Sequence, residues 1–130
     1  MRLVGFYREF QIVDNGAYAG NIHDVVRPNP SVDEAEVLSY LNGGARVVEF
    51  MEAARDVISG DNYVTAGSSL VTDGLWVWRL DLAHYVARYH LELDREFLLR
   101  VAEHDGVCPE VSMEALRSVT DDIKVTFFGG

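Results

Sequence analysis

Apolar and polar positions along the chain switch between two periods, and the switches lay out a fold. "RLVGFYREF" alternates and predicts a first strand over Leu3–Glu9. "QIVDNGAYAGNIHDVVRPNP" carries glycines, Asn, Asp and two prolines and reads as loop, with a short helical turn near Ile22–Val26. It is long for a structureless connection, so it is expected to drape over the core or carry contacts. In "PSVDEAEVLSYLNGG" Ser31 is placed to cap a helix, and Glu34 three residues later completes a capping box. Val37, Leu38 and Leu41 form its apolar stripe, and Gly43 with Gly44 stops it.

Strand-like sequence follows. Arg46–Ala53 predicts one strand, open to extension through "RDVI"; "SGDN" turns the chain, and Tyr63–Thr72 returns. Gly67 inside that return predicts a bulge or a close backbone approach. Asp73-Gly74 predicts a two-residue hairpin into Leu75–Arg79. Helical periodicity then takes over. Leu82, Tyr85, Val86 and Tyr89 share one face behind an Asp81 cap. Asp94 caps a second helix with Phe97, Leu98, Val101 and Ala102 inward, ending at Gly106. Ser112 caps a short third helix, and "IKVTFF" predicts a closing strand. The class is α+β: an antiparallel sheet, a meander with an Asp-Gly hairpin, packed by helices in one domain over residues 1–130.

The hairpin register sets Thr72 opposite Leu75, Val71 opposite Trp76, Leu70 opposite Val77 and Ser69 opposite Trp78. Trp76, Trp78, Val71 and Ser69 then share one face, and Leu70, Thr72, Leu75 and Val77 the other. Both faces are largely apolar. Either helices cover both, or one is an exposed apolar patch. For the tryptophans two readings stand together: core beneath the Leu82–Tyr89 helix, and a ring at a rim that anchors a partner.

Composition narrows the function. At 48% hydrophobic residues, a 130-residue chain can bury a real core. Twenty-one acids against eleven bases give a formal charge of −10, which disfavours nucleic acid and anionic membrane and suits a basic protein partner. No apolar run approaches a membrane span, Arg8 and Glu9 break any signal-like start, and a single cysteine excludes an internal disulfide. A cytoplasmic location is expected.

Candidate chemistry is sparse. His84 and His90 lie six residues apart on one helix and cannot share an ion; no H-E-x-x-H or Cys/His spacing occurs, so no metal is expected. No nucleophile elbow or glycine-rich phosphate loop appears, and nothing calls for a cofactor. Acidic neighbours around Cys108 argue against a reactive thiol. The terminal Gly129-Gly130 reads as a frayed end.

One stretch resembles a known group. "DG-x-W-x-W-x-x-DL-x-x-Y", from Asp73 to Tyr85, and "Y-x-L-x-L-x-x-EF", from Tyr89 to Phe97, are similar to segments of small bacterial immunity-type proteins of polymorphic toxin systems, over Gly16 to Val101. The resemblance implies a non-catalytic inhibitor that blocks a cognate toxin stoichiometrically through an acidic surface. The partner-facing residues it implies are Asp33, Glu34 and Glu36 at the helix start, Glu49 and Glu52 on the strand and Asp56 and Asp61 at the turn, with Trp76 and Trp78 as anchors. The alternative is a small-ligand or regulatory domain with a tryptophan-walled pocket. An enzyme would instead require a histidine and two carboxylates in one cleft.

Overall fold

The computed structural model describes residues 1–11 and 16–129; the loop positions 12–15 and the terminal Gly130 lie outside the described residues. The strands are β1 (Arg2–Leu3), β2 (Ala45–Val48), β3 (Ala53–Arg55), β4 (Tyr63–Thr65), β5 (Leu70–Thr72) and β6 (Trp76–Arg79). The helices are α1 (Glu34–Asn42), α2 (Leu82–Tyr89), α3 (Arg95–Glu103) and α4 (Met113–Phe128). Single 3₁₀ turns occupy Arg8–Phe10 and Ile22–Val25, the second where the loop was expected to coil. A four-stranded sheet runs β1-β6-β5-β2, and β3 pairs with β4 in a separate two-stranded ribbon. The α+β class holds, but β1 runs parallel to β6, so the main sheet is mixed.

The hairpin explains why both faces of its strands are apolar. Leu70 pairs with Arg79, Val71 with Trp78 and Thr72 with Val77, two residues away from the expected register. The cause is Asp73. Its Oδ1 accepts from the N–H groups of Leu75 (2.9 Å) and Trp76 (2.7 Å), which centres the turn on Gly74-Leu75. A slip of two residues preserves which side chains share a face. Val71, Trp76 and Trp78 therefore pack together under α1, α2 and α3, with Tyr40, Tyr85, Val86 and Phe97. Leu70 and Val77 pack on the other side with Phe6, Val119 and Ile123. Helices cover both faces, and the second cover is α4.

That helix overturns the expected closing strand. Residues 123–128 are its C-terminal half. β-branched and aromatic residues give "IKVTFF" a strand-like composition, but Val119, Ile123 and Phe127 recur every fourth residue and lie on the second core cluster. Ser112 caps the helix, accepting from Ala115 N–H at 3.1 Å, and Asp94 caps α3, accepting from Glu96 N–H at 2.8 Å.

Five other expectations are corrected. The first strand stops at Leu3, because the chain bends and sends Phe6 and Tyr7 to different core clusters. Arg46–Ala53 is interrupted after Val48, where the Ser69 hydroxyl takes up both the N–H (2.9 Å) and the C=O (3.2 Å) of Phe50 and so replaces the ladder. Tyr63–Thr72 breaks at a turn over 66–68, where Gly67 is the expected close approach: a Cβ there would sit 2.9 Å from Ala54 Cβ and 3.0 Å from Asp81 Cβ. The capping box does not form. Ser31 Oγ donates to Asp33 at 2.7 Å, and α1 starts at Glu34. Ala102, expected inward, is exposed.

Gly44 sets how closely α1 can turn into β2. A Cβ at this position would lie 2.4 Å from Val71 Cγ1, 2.7 Å from Trp78 Cζ2 and 3.2 Å from the Thr72 carbonyl oxygen. None of these can yield inside the core, so Gly44→Ala is expected to destabilise by about 1–3 kcal/mol. Urea denaturation checks this; a loss under about 0.5 kcal/mol would mean the β2–β5 contact is looser than described.

Candidate binding face

The residues with chemical potential fall into two buried clusters, two ion-paired clefts and an exposed acidic surface. In the first cluster Asp56, at the end of β3, is fully buried. Its Oδ2 lies 2.8 Å from His84 Nε2 and accepts from the Tyr89 hydroxyl at 2.8 Å. Its Oδ1 accepts from the N–H groups of Ile58 (2.8 Å) and Ser59 (2.9 Å). Burial pushes the Asp56 carboxyl up, but these donors outweigh it and hold the pKa at about 2. Beside it the Tyr85 hydroxyl accepts from Val57 N–H at 2.9 Å. The group joins one histidine to one carboxylate: Oδ2 and the Tyr85 hydroxyl fasten the β3–β4 ribbon to α2, and Oδ1 closes the ribbon's own turn. It reads as a clamp.

The clamp has a pH signature. The folded pKa of Asp56 lies below the ordinary 3.8, so its contribution is fully present above that value and is lost as pH falls toward about 2. The loss is on the order of 2 kcal/mol. Acid titration followed by circular dichroism is expected to show a stability decline as pH falls below about 4 that Asp56→Asn makes shallower, the remainder coming from Asp73; an unchanged acid limb in the variant contradicts the clamp.

In the second cluster Asp73 Oδ2 accepts from the Tyr40 hydroxyl (2.5 Å) and from Arg100 Nε (2.6 Å). Burial raises the Asp73 carboxyl, and the bonds from Tyr40, Trp76, Leu75 and Arg100 bring it below its usual range. Burial, then the negative Asp73, pushes the nearby Cys108 thiol up to about 11, so it is protonated and unreactive at neutral pH.

The acids expected to face a partner separate. Asp33 and Glu36 are exposed at the start of α1, and Glu34 is drawn inward to His90, Oε1 to Nδ1 2.8 Å. Asp33 and Glu34, but not Glu36, border a cleft of about 420 Å³ that also holds Arg27, bound to Glu92 through Nε (3.0 Å) and Nη2 (2.5 Å). Glu49 and Glu52, expected on a strand, are exposed in the link between β2 and β3, because the Ser69 hydroxyl ends the ladder at Phe50; Glu49 lies within 3.3 Å of Arg46. Asp61 is exposed at the tip of the β3–β4 ribbon. Three of the expected residues are not available to any partner. Asp56 is the buried clamp. Trp76 is 2% exposed and Trp78 0%, because the hairpin points both rings at Phe97 and the α1–α3 layer. Neither ring is among the walls of the 420 Å³ cleft.

A different aromatic site stands in their place. Phe6, Phe10, Tyr18, Phe50, Leu70 and Phe127 wall a cavity of about 330 Å³ between the N-terminal segment, the link that follows β2, the β5–β6 hairpin and α4. The rings brace one another: Phe6 and Phe127 centroids lie 5.1 Å apart, and Tyr18 meets both edge-on at 6.0 Å. Glu52, Ser68 and Arg79 supply its polar atoms. Arg79 stacks 4.0 Å over Phe10 and is held by buried Asp81 through Nε (3.0 Å) and Nη2 (2.9 Å). Its charge is therefore met inside the protein, whereas Glu52 is exposed and lies in no ion pair among the described residues. Around the cavity Phe50 (37%), Met51 (84%) and Phe128 (55%) leave apolar surface in water. Sequence reading found Glu49 and Glu52 but missed the cavity, whose walls come from both ends of the chain.

Among the described residues no three His, Cys, Asp or Glu side chains converge as a metal site would require, and no helix is long and apolar enough to cross a membrane. No protein-family model, curated protein or solved structure matches this chain.

Proposed function

We propose that this protein is a non-catalytic binding domain of the inhibitor type, which neutralises a basic protein partner, a toxin, by covering it with an acidic surface. The observation that carries the reading is the juxtaposition at the β2–β3 link: an aromatic cavity with exposed apolar borders at Phe50, Met51 and Phe128, next to the carboxylates of Glu49 and Glu52. Exposed apolar surface rimmed by charge is the usual mark of a protein interaction site. The net charge of −10 favours a cationic partner and speeds its approach. The internal use of the histidine–carboxylate and arginine–carboxylate groups supports binding over catalysis.

Co-expression tests it. The protein is expected to rescue growth from the toxic product of the gene beside its own, and Glu49→Lys/Glu52→Lys is expected to lose rescue at unchanged melting temperature. Full rescue by the charge-reversed variant would remove the β2–β3 link from the contact. Absence of rescue by the wild type would reject the inhibitor reading.

A further inference from the structure

We infer that the Phe6–Phe50–Phe127 cavity is a socket for one aromatic side chain that the partner presents between basic residues. The inference rests on the partner-binding reading above and names what the partner must bring.

Size comes first. About 330 Å³ is at the bottom of the range that small-molecule sites occupy, enough for one ring system and too little for a long acyl chain or a dinucleotide. Wall chemistry comes second. The rings of Phe6, Tyr18 and Phe127 already meet in edge-to-face and tilted pairs, Phe10 and Phe50 complete the aromatic wall, and an incoming ring continues that arrangement. Charge comes third. Arg79 is neutralised by Asp81, so it recruits no anion, and Glu52, in no ion pair among the described residues, places negative charge beside the opening, while Glu49 close by is paired with Arg46. An aromatic group carrying a carboxylate is disfavoured; one flanked by Lys or Arg is favoured. A second copy of this chain is disfavoured by the same argument, since each copy carries −10.

The arrangement inverts the usual division of an interface hot spot. Anchoring rings ordinarily project from one surface into a pocket on the other. Here the chain's own tryptophans are core, and its phenylalanines build the pocket. The anchor therefore comes from the partner.

The test uses the full chain and three capped tripeptides, Lys-Trp-Lys, Glu-Trp-Glu and Lys-Ala-Lys, titrated by amide chemical-shift mapping. Lys-Trp-Lys is expected to shift the amides of Phe50, Glu52 and Phe127 and to bind about tenfold more tightly than either of the others. Phe50→Ala, at a half-exposed position, is expected to abolish that preference while keeping the wild-type spectrum elsewhere. Glu52→Lys is expected to erase the difference between the Lys- and Glu-flanked peptides. Equal affinity for the Trp and Ala peptides, shifts confined to another face, or a Phe50→Ala variant that binds as wild type would each overturn the socket. So would a dimer in sedimentation that buries this face. The outcomes separate from those of the inhibitor reading. Peptide capture without growth rescue leaves the socket standing and removes the toxin; rescue undiminished by Phe50→Ala does the reverse.

Discussion

Asp73→Ala is expected to cost about 3–5 kcal/mol, because it strips a buried acceptor from four donors at once. The carboxylate receives the Tyr40 hydroxyl, Arg100 Nε and the N–H groups of Leu75 and Trp76. Its side chain is fully shielded, and Arg100 is 23% exposed, so the orphaned guanidinium is only partly rehydrated. For a domain of this size the melting temperature is expected to fall by at least ~10 °C. Asp73→Asn, which keeps the acceptor for the two turn N–H groups, is expected to lose less. Thermal and urea denaturation of the pair measure both. A loss under about 1 kcal/mol for the alanine variant would mean that the hairpin sets its own register without this residue.

Trp78→Ala is the other large effect, also about 3–5 kcal/mol. Trp78 is completely buried, touches Tyr40 (6.1 Å) and Phe97 (5.6 Å) between ring centroids, and donates from Nε1 to the Leu41 carbonyl at 3.3 Å. Truncation removes the largest side chain of the core and leaves a cavity too well braced to collapse. Had the ring stood at a rim, the same change would leave stability nearly intact and weaken only binding. Denaturant melts of Trp78→Ala therefore decide where this residue acts. Because Tyr40 touches both Trp78 and Asp73, the double variant is expected to lose less than the sum of the single losses.

The parts of the fold legible in the sequence are those fixed within a few residues. Asp94 and Ser112 are recognisable as caps because the groups they bond lie two and three positions on. The sides taken by Val71, Trp76 and Trp78 are legible because parity survives a two-residue slip. The slip itself was equally local, since the Asp73 Oδ1 bonds that move the turn reach only Leu75 and Trp76, and the Asp-Gly pair drew the turn centre to the wrong place; what no neighbour reveals is that Tyr40 and Arg100, 33 and 27 residues away, hold the other oxygen. α4 was within reach. The Val119, Ile123, Phe127 spacing is helical, and the β-branched composition of the same segment pointed the other way. Of the site, Glu49 and Glu52 could be chosen as surface acids. Asp56 looked equivalent to them, because nothing local reveals His84 and Tyr89, 28 and 33 residues further along. The aromatic cavity was hidden for the same reason: it exists only once Phe6, Phe50 and Phe127 are brought together by the sheet and the last helix.

The function proposed for this chain is to meet a positively charged protein and occlude it without making or breaking a covalent bond. The most direct measurement is the association rate with that protein as ionic strength is raised roughly tenfold, for the wild type and for Glu49→Lys/Glu52→Lys. The expected result is a wild-type rate that falls steeply with added salt while dissociation changes little, and a variant rate that is low and nearly flat. A wild-type rate indifferent to salt, or a reaction product accumulating from the partner on mixing, would contradict it.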